Sequence, residues 1–112
     1  MKLSFNLSAA DLNTIIFALD ILPELELEDT PEQANINQLC CMSAVQKITS
    51  GNTKLTANEF RVISAAIQAL YLIIHGELEV EPKTKAECSR YVFDVNRLMP
   101  MFDFDFDESS EE

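Results

Sequence analysis

One stretch of the sequence decides the fold: Leu55 to Gly76, which reads LTANEFRVISAAIQALYLIIHG. Thr56 and Glu59 stand three residues apart, so each side chain can accept a hydrogen bond from a backbone N–H that the first helical turn leaves unpaired. A stripe of apolar residues follows at helical spacing: Phe60, Ile63, Ile67, Leu70 and Ile74. From Ala65 to Ile74 only one side chain is strongly polar. The pattern therefore predicts a central helix that other helices surround, and Gly76 is predicted to end it.

The same start signal recurs on both sides of this helix. Ser8, Thr30 and Thr84 each stand three residues before a side chain that can complete the cap, as Thr56 does. The pattern predicts four helices over about 9–22, 31–49, 57–75 and 85–99, with prolines 23 and 100 ending the first and the last. We expect an all-α, four-helix bundle-like fold in which residues 1–99 form a single domain.

The two ends of the chain have a different periodicity. Residues 1–7 alternate apolar and polar side chains, which predicts a short half-buried strand. In the acidic tail, residues 100–112, Phe102, Phe104 and Phe106 alternate with Asp103, Asp105 and Asp107, which predicts an extended segment followed by disorder. The two segments could pair as a two-stranded sheet laid on the helices.

Composition limits the classes of function. The net charge is −11, with 13 acidic and 8 basic residues in 1–99 and 6 acidic and no basic residues in 100–112. Direct binding to DNA or RNA is disfavoured, because neutralising phosphates requires a basic face. The apolar run at 65–74 falls short of the roughly 20 residues that cross a bilayer, and the first residues lack the apolar region of a secretory signal. We expect a cytoplasmic protein without a membrane segment.

Catalytic and metal-binding signals are sparse. The three cysteines, Cys40, Cys41 and Cys88, are an odd number without paired spacing, which favours reduced core thiols. His75 is the one histidine, and we expect it to cap the end of the central helix. A cysteine nucleophile with His75, a zinc site and a calcium site in the tail are weaker alternatives, because the spacings that these sites use are missing. We predict no catalytic residue, no metal and no cofactor.

Several apolar side chains fall outside the predicted core stripes and are candidates for contact with a partner. Phe17 and Ile21 lie on the second side of the first helix, Leu39 and Met42 lie among uncharged polar residues of the second helix, and Phe93 lies between two arginines. The tail supplies Phe102, Asp103, Phe104, Asp105, Phe106 and Asp107. The tail could dock on the protein's own surface or add a strand to a partner.

These features favour a small, acidic, non-enzymatic protein-binding module, an adaptor or inhibitor. Its partner would be a protein with a basic or basic-apolar surface, and self-association through the second helix is possible. The alternative is a nucleic-acid mimic, of the kind that phages and mobile elements encode, whose carboxylates occupy the phosphate-binding channel of a DNA- or RNA-handling protein. A third hypothesis, a thiol-dependent enzyme, requires a reactive cysteine.

Overall fold

The part of the chain that the structure describes is built from helices. The computed structural model describes residues 8–25, 30–52 and 54–103, and for 101–103 it describes the backbone alone. In these ranges the elements are α1 (Ala9–Ile21), a 3-10 turn (Leu22–Glu24), α2 (Pro31–Thr49), α3 (Ala57–Ile74), α4 (Pro82–Ser89) and α5 (Val92–Asp103). The same ranges contain no strand, so the all-α prediction is confirmed.

Side-chain caps start the first three helices. The Ser8 hydroxyl accepts a hydrogen bond from the Asp11 N–H at 3.1 Å, and the Asp11 carboxylate accepts one from the Ser8 N–H at 3.0 Å. Thr56 and Glu59 form the same reciprocal pair at the start of α3, at 3.0 and 2.9 Å. Thr30 accepts from the Gln33 N–H at 3.1 Å, with proline at the first position of α2. Each cap satisfies donors that the helix itself leaves unpaired.

Glycines end α2 and α3. Gly51 and Gly76 have φ of +85° and +79°, the left-handed conformation that a side chain disfavours. The following residue closes each end: Asn52 N–H donates to the Lys47 carbonyl and Glu77 N–H donates to the Leu72 carbonyl, both at 2.8 Å. Both ends are Schellman motifs, which pair otherwise free carbonyls of the last turn.

The prediction of one helix over 85–99 that begins at a Thr84 cap is wrong. The segment forms two helices, and α4 begins at Pro82 after Glu81, which makes no side-chain cap bond. Proline suits the first helical position, because its fixed φ is helical and its missing N–H would be unpaired there. Arg90 and Tyr91 form the turn between α4 and α5.

The prediction that Pro100 ends the last helix is also wrong. Helix α5 continues through Pro100 to Asp103, so Phe102 and Asp103 lie in a helix and not in an extended tail. A proline near the end of a helix removes one backbone bond only, and few residues follow it. Phe104 to Asp107, the disordered end and residues 1–7 with their proposed strand pairing lie outside the described residues.

Helix α3 lies at the centre and packs against α1, α2, α4 and α5. Its fully buried residues include Ile63, Ile67 and Leu70, which meet Ile15 and Leu19 of α1 in one core. The main contacts of α2 and of α5 are both with α1 and α3. Because α2 and α5 have almost no contact with each other, they lie on opposite sides of the central α1–α3 pair.

Candidate functional site

The outer face of α2 carries three large apolar side chains in contact with solvent. Ile36, Leu39 and Met42 are 49%, 58% and 60% exposed, and they are three residues apart, so they form a continuous row on the helix. We call these three residues the α2 surface. The opposite face of the same helix buries Cys41, Ala44 and Ile48 in the core. The α2 surface therefore does not take part in packing the helix against the rest of the protein.

The α2 surface lies in a stretch without charged side chains. From Gln33 to Gln46 the sequence contains no acidic or basic residue, although the whole chain has a net charge of −11. Amides dominate the polar positions, and the Gln33 side chain donates to the Asn37 side chain at 3.0 Å. An apolar row bordered by uncharged polar groups is typical of a surface that contacts another protein.

A groove of about 590 Å³ runs beside the α2 surface. It lies between the first half of α2, the first half of α3 and the turn after α1, and Ile36 belongs both to the α2 surface and to its wall. Arg61 is the one charged residue among the described residues that line the groove. The apolar part of its lining comprises Leu22, Pro23, Leu25, Ala34, Cys40, Cys41, Val62 and Ala65.

Phe93 forms a second exposed apolar site, on the other side of the molecule. It is 85% exposed on α5. Of the two arginines that flank it in sequence, Arg90 is exposed, whereas Arg97 is held by carboxylates of Asp11 and Asp94. Arg90, three residues before Phe93, forms no ion pair with a described carboxylate.

The other candidate contact residues lie elsewhere. Ile21 is buried, and Phe17 is half-buried with its ring stacked on the Tyr91 ring at 4.4 Å between centroids. The second side of α1 therefore packs in part on the turn before α5. In the tail, the structure describes only the backbone of Phe102 and Asp103, and Phe104, Asp105, Phe106 and Asp107 lie outside it.

Cys41 and Cys88 have the environment of core thiols, whereas Cys40 is half-buried beside the groove. Burial raises the pKa of Cys41 to about 11, with Cys40 and Asp20 adding a smaller electrostatic effect, and burial likewise raises the pKa of Cys88 to about 11. A thiol that stays protonated at neutral pH is a poor nucleophile and a poor metal ligand. Among the described residues, no group of three or more histidine, cysteine or acidic side chains is arranged to hold a metal ion.

His75 occupies the C-cap of α3, as its position in the sequence predicts. Its ring nitrogen Nε2 lies 3.1 Å from the Asn96 side-chain oxygen, and its ring packs against Tyr71 at 4.2 Å between centroids. The hydrogen bond joins the end of α3 to α5. These contacts give the histidine a structural role.

Two buried carboxylates tie helices together, and sequence reasoning recognised them only as caps. Glu59 accepts hydrogen bonds from the Lys47 ammonium at 2.8 Å, from the Ser43 hydroxyl and from the Thr56 N–H, which joins α2 to the start of α3. Burial of Glu59 opposes its ionisation, but these bonds and the charge of Lys47 together outweigh it and lower its pKa to about 2. Helical periodicity relates residues of one helix only, so it cannot predict this pairing between α2 and α3.

Asp11 is the second such carboxylate. It binds Arg97 of α5, which also binds Asp94, and the Thr14 hydroxyl lies 3.2 Å from the Asp94 carboxylate. Burial opposes the ionisation of Asp11, yet its bonds from Ser8 and Arg97 prevail and lower its pKa below the usual value. The cluster links α5 to α1.

A cleft of about 530 Å³ has an acidic rim. Glu24, Glu79 and Glu81 line it above an apolar floor that includes Ile21, Leu78 and Val80. Among the described residues, these three carboxylates do not form a metal-binding group. The three carboxylates are exposed to solvent and contribute to the negative charge of the protein surface.

Helix α3 is long and apolar enough to cross a membrane by length and composition, with a mean hydropathy of 1.3 over Ala57–Ile74. It is also the helix on which the core is built, with half of that stretch buried inside the protein. The central helix of a globular core has the same length and composition, so this feature indicates a core helix as readily as a membrane span.

Comparison with protein-family models, with curated proteins and with solved structures finds no match to this chain.

Proposed function

We propose that the protein is a small, non-enzymatic protein-binding module that works through exposed apolar side chains on two opposite sides of its helical body. The observation that carries the proposal is where these side chains lie. All four exposed large apolar residues of the described ranges are on the outer faces of α2 and α5: Ile36, Leu39, Met42 and Phe93.

Energy supports a contact role for the α2 surface. Full burial of an isoleucine, leucine or methionine side chain contributes about 1.5 to 3 kcal/mol. The three residues of the α2 surface retain about half of their exposure, so covering them contributes roughly 3 kcal/mol in total. The uncharged amides around them can be desolvated at lower cost than the carboxylates that dominate the rest of the protein.

The state of the ionisable groups supports a non-enzymatic role. The Cys41 and Cys88 thiols have raised pKa values, and His75, Glu59 and Asp11 are engaged with neighbouring helices. General acid–base or nucleophilic catalysis needs such groups to be accessible to a substrate.

The test is site-specific photocrosslinking of the full chain in extracts of the cells that produce it. A photoreactive phenylalanine analogue replaces Leu39, Phe93 or, as a control, Ala86, which is exposed on α4. We expect adducts with a different protein at position 39 or 93 that persist in high salt and are absent at position 86. The proposal would be contradicted if neither position 39 nor position 93 formed such adducts.

The same experiment tests the nucleic-acid mimic. A mimic holds its partner by ion pairs between carboxylates and a basic channel, so its adducts should disappear as salt is raised. Adducts with a nucleic-acid-handling protein that are lost in high salt would favour the mimic over the module.

A further inference from the structure

We infer that a second copy of this chain covers the α2 surface, in a two-fold symmetric dimer with the two α2 helices antiparallel. The inference rests on the proposed function, because it names the occupant of one of the two contact surfaces. It leaves Phe93, on the opposite side of each copy, free for a different partner.

Charge is the first argument for a second copy. Two chains of net charge −11 repel each other. The stretch from Gln33 to Gln46 has no charged side chain, so it allows two copies to approach without placing like charges in direct contact. A basic partner, by contrast, would find no carboxylate in this stretch to bind.

The polar groups at the edge of the surface suit self-contact. Asn35, Gln38 and Gln46 are exposed amides, and an amide both donates and accepts hydrogen bonds. Two identical amide-bearing faces can therefore satisfy each other in a symmetric contact, which two carboxylate-bearing faces cannot.

The order of the apolar residues fits an antiparallel pair. With Leu39 at the two-fold axis, Ile36 of each copy lies opposite Met42 of the other, because both are three residues from the axis. This arrangement opposes the two helix dipoles. A parallel pair would instead bring the two Glu32 side chains, in the first turn of each α2, close together.

The size of the surface predicts a weak dimer. A helix of 19 residues is about 28 Å long, and one face of it is smaller than the roughly 800 Å² per partner of a standard interface. We expect a dissociation constant in the micromolar range or weaker, of about 10 to 500 μM.

The experiment is sedimentation velocity of the full chain from about 5 μM to about 1 mM, a range that brackets the expected constant. We expect a reversible shift from monomer to dimer. Ile36→Glu is expected to weaken the dimer at least about tenfold, because a carboxylate would be buried against Met42. Phe93→Glu makes the same change of charge at an exposed apolar residue of α5, and it should leave the dissociation constant within about twofold.

A charge pair tests the antiparallel register. Met42→Lys is expected to weaken the dimer when it is the only variant present. Mixing the Ile36→Glu and Met42→Lys chains should restore dimers that contain one of each, because the new carboxylate and ammonium then face each other across the axis. A mixture that stays monomeric would overturn the antiparallel pairing.

Three other results would overturn the inference. A wild-type chain that remains monomeric over the whole range has no such dimer. A dimer that Phe93→Glu weakens as much as Ile36→Glu uses another face. If Ile36→Glu and Leu39→Glu both lower the melting temperature of a monomer by more than about 5 °C, the chain's own residues cover the surface. Photocrosslinks from position 39 or 93 to a different protein would, in each of these cases, leave the proposed function standing.

Discussion

At the residue scale, Glu59 shows how one side chain can serve both a cap and a core. Its carboxylate caps α3 and also binds Lys47 and Ser43 of α2, and its side chain is only 6% exposed. The cap is visible in the sequence, because Thr56 and Glu59 are three residues apart. The ion pair is not visible in the sequence, because Lys47 lies twelve residues away on another helix and the sequence does not say how the two helices pack.

Glu59 should make stability depend on pH. Its pKa is lowered from 4.5 to about 2, so its contribution is fully present above pH 4.5 and is lost as the pH falls toward 2. At pH 7 we expect Glu59→Gln to lower the free energy of unfolding by about 3 kcal/mol, and the difference from wild type should shrink between pH 4.5 and 2. Urea denaturation of both proteins at several pH values measures this difference in the free energy of unfolding.

The matched control is Glu87→Gln, which changes an exposed carboxylate on α4. It should alter stability by less than about 0.5 kcal/mol at every pH. If Glu59→Gln gave an equally small, pH-independent change, the buried ion pair would not contribute as the structure implies.

The thiols provide a second prediction at this scale. Cys41 and Cys88 are buried with pKa values raised to about 11, whereas Cys40 is half-buried at the groove. Native alkylation at pH 8 should therefore modify Cys40 first, with the other two at least about tenfold slower. Mass spectrometry of tryptic peptides, with Cys40→Ser as the comparison, measures the order. Rapid modification of Cys88 would revive the thiol-enzyme hypothesis.

At the scale of the elements, local signals predict starts better than ends. Side-chain caps at Ser8, Thr30 and Thr56 act within one turn, and the structure has each of them. At Thr84 the same pattern misleads, because Pro82 two residues earlier is an equally good start. At the break between α4 and α5, the Tyr91 ring stacks on Phe17, a long-range contact that the local sequence pattern does not show.

The two prolines at helical positions should have opposite effects when replaced. Pro100 lies inside α5, where it removes a backbone bond, so Pro100→Ala should stabilise the protein by about 1 kcal/mol. Pro31 lies at the first position of α2, where it removes none, so Pro31→Ala should destabilise slightly, by about 0.5 kcal/mol, through the freer unfolded chain. Thermal unfolding followed by circular dichroism compares the two. A loss of stability in Pro100→Ala would show that the helix does not continue through residue 100.

At the scale of the whole molecule, the sequence predicts the helical class and the central helix, and it leaves the site incomplete. All the apolar candidates on the helices fall outside the predicted core stripes, yet their environments differ. Leu39, Met42 and Phe93 are exposed in the structure. Ile21 is buried, and Phe17 stacks on Tyr91. Helical periodicity gives the angle of a side chain around its own helix. It does not say whether another helix packs at that angle, so the periodicity of α2 alone does not show that Ile36 is 49% exposed.

The distribution of charge separates the two interpretations of acidity. Eight of the nineteen acidic residues, with one basic residue, lie outside the described ranges, and within those ranges the carboxylates of Asp11, Glu59 and Asp94 are in ion pairs with Arg97 and Lys47. The described ranges hold the other 11 acidic and 7 basic residues, a net charge of −4 against −11 for the whole chain. This favours contact through apolar side chains over imitation of a phosphate backbone by the helices.

Salt should strengthen the dimer that we infer. The contact itself contains no charged pair at its centre, while the two copies, each of net charge −11, repel over longer distances. Raising the ionic strength from about 0.05 M to about 0.5 M shortens the screening length from about 14 Å to about 4 Å and so removes most of this repulsion. We expect the dissociation constant from sedimentation to fall by at least about twofold, and Ile36→Glu should stay monomeric at both salt concentrations, which distinguishes the dimer from non-specific salting out. A dimer that weakens as salt is raised would instead be held by ion pairs, and the α2 surface would not be its centre.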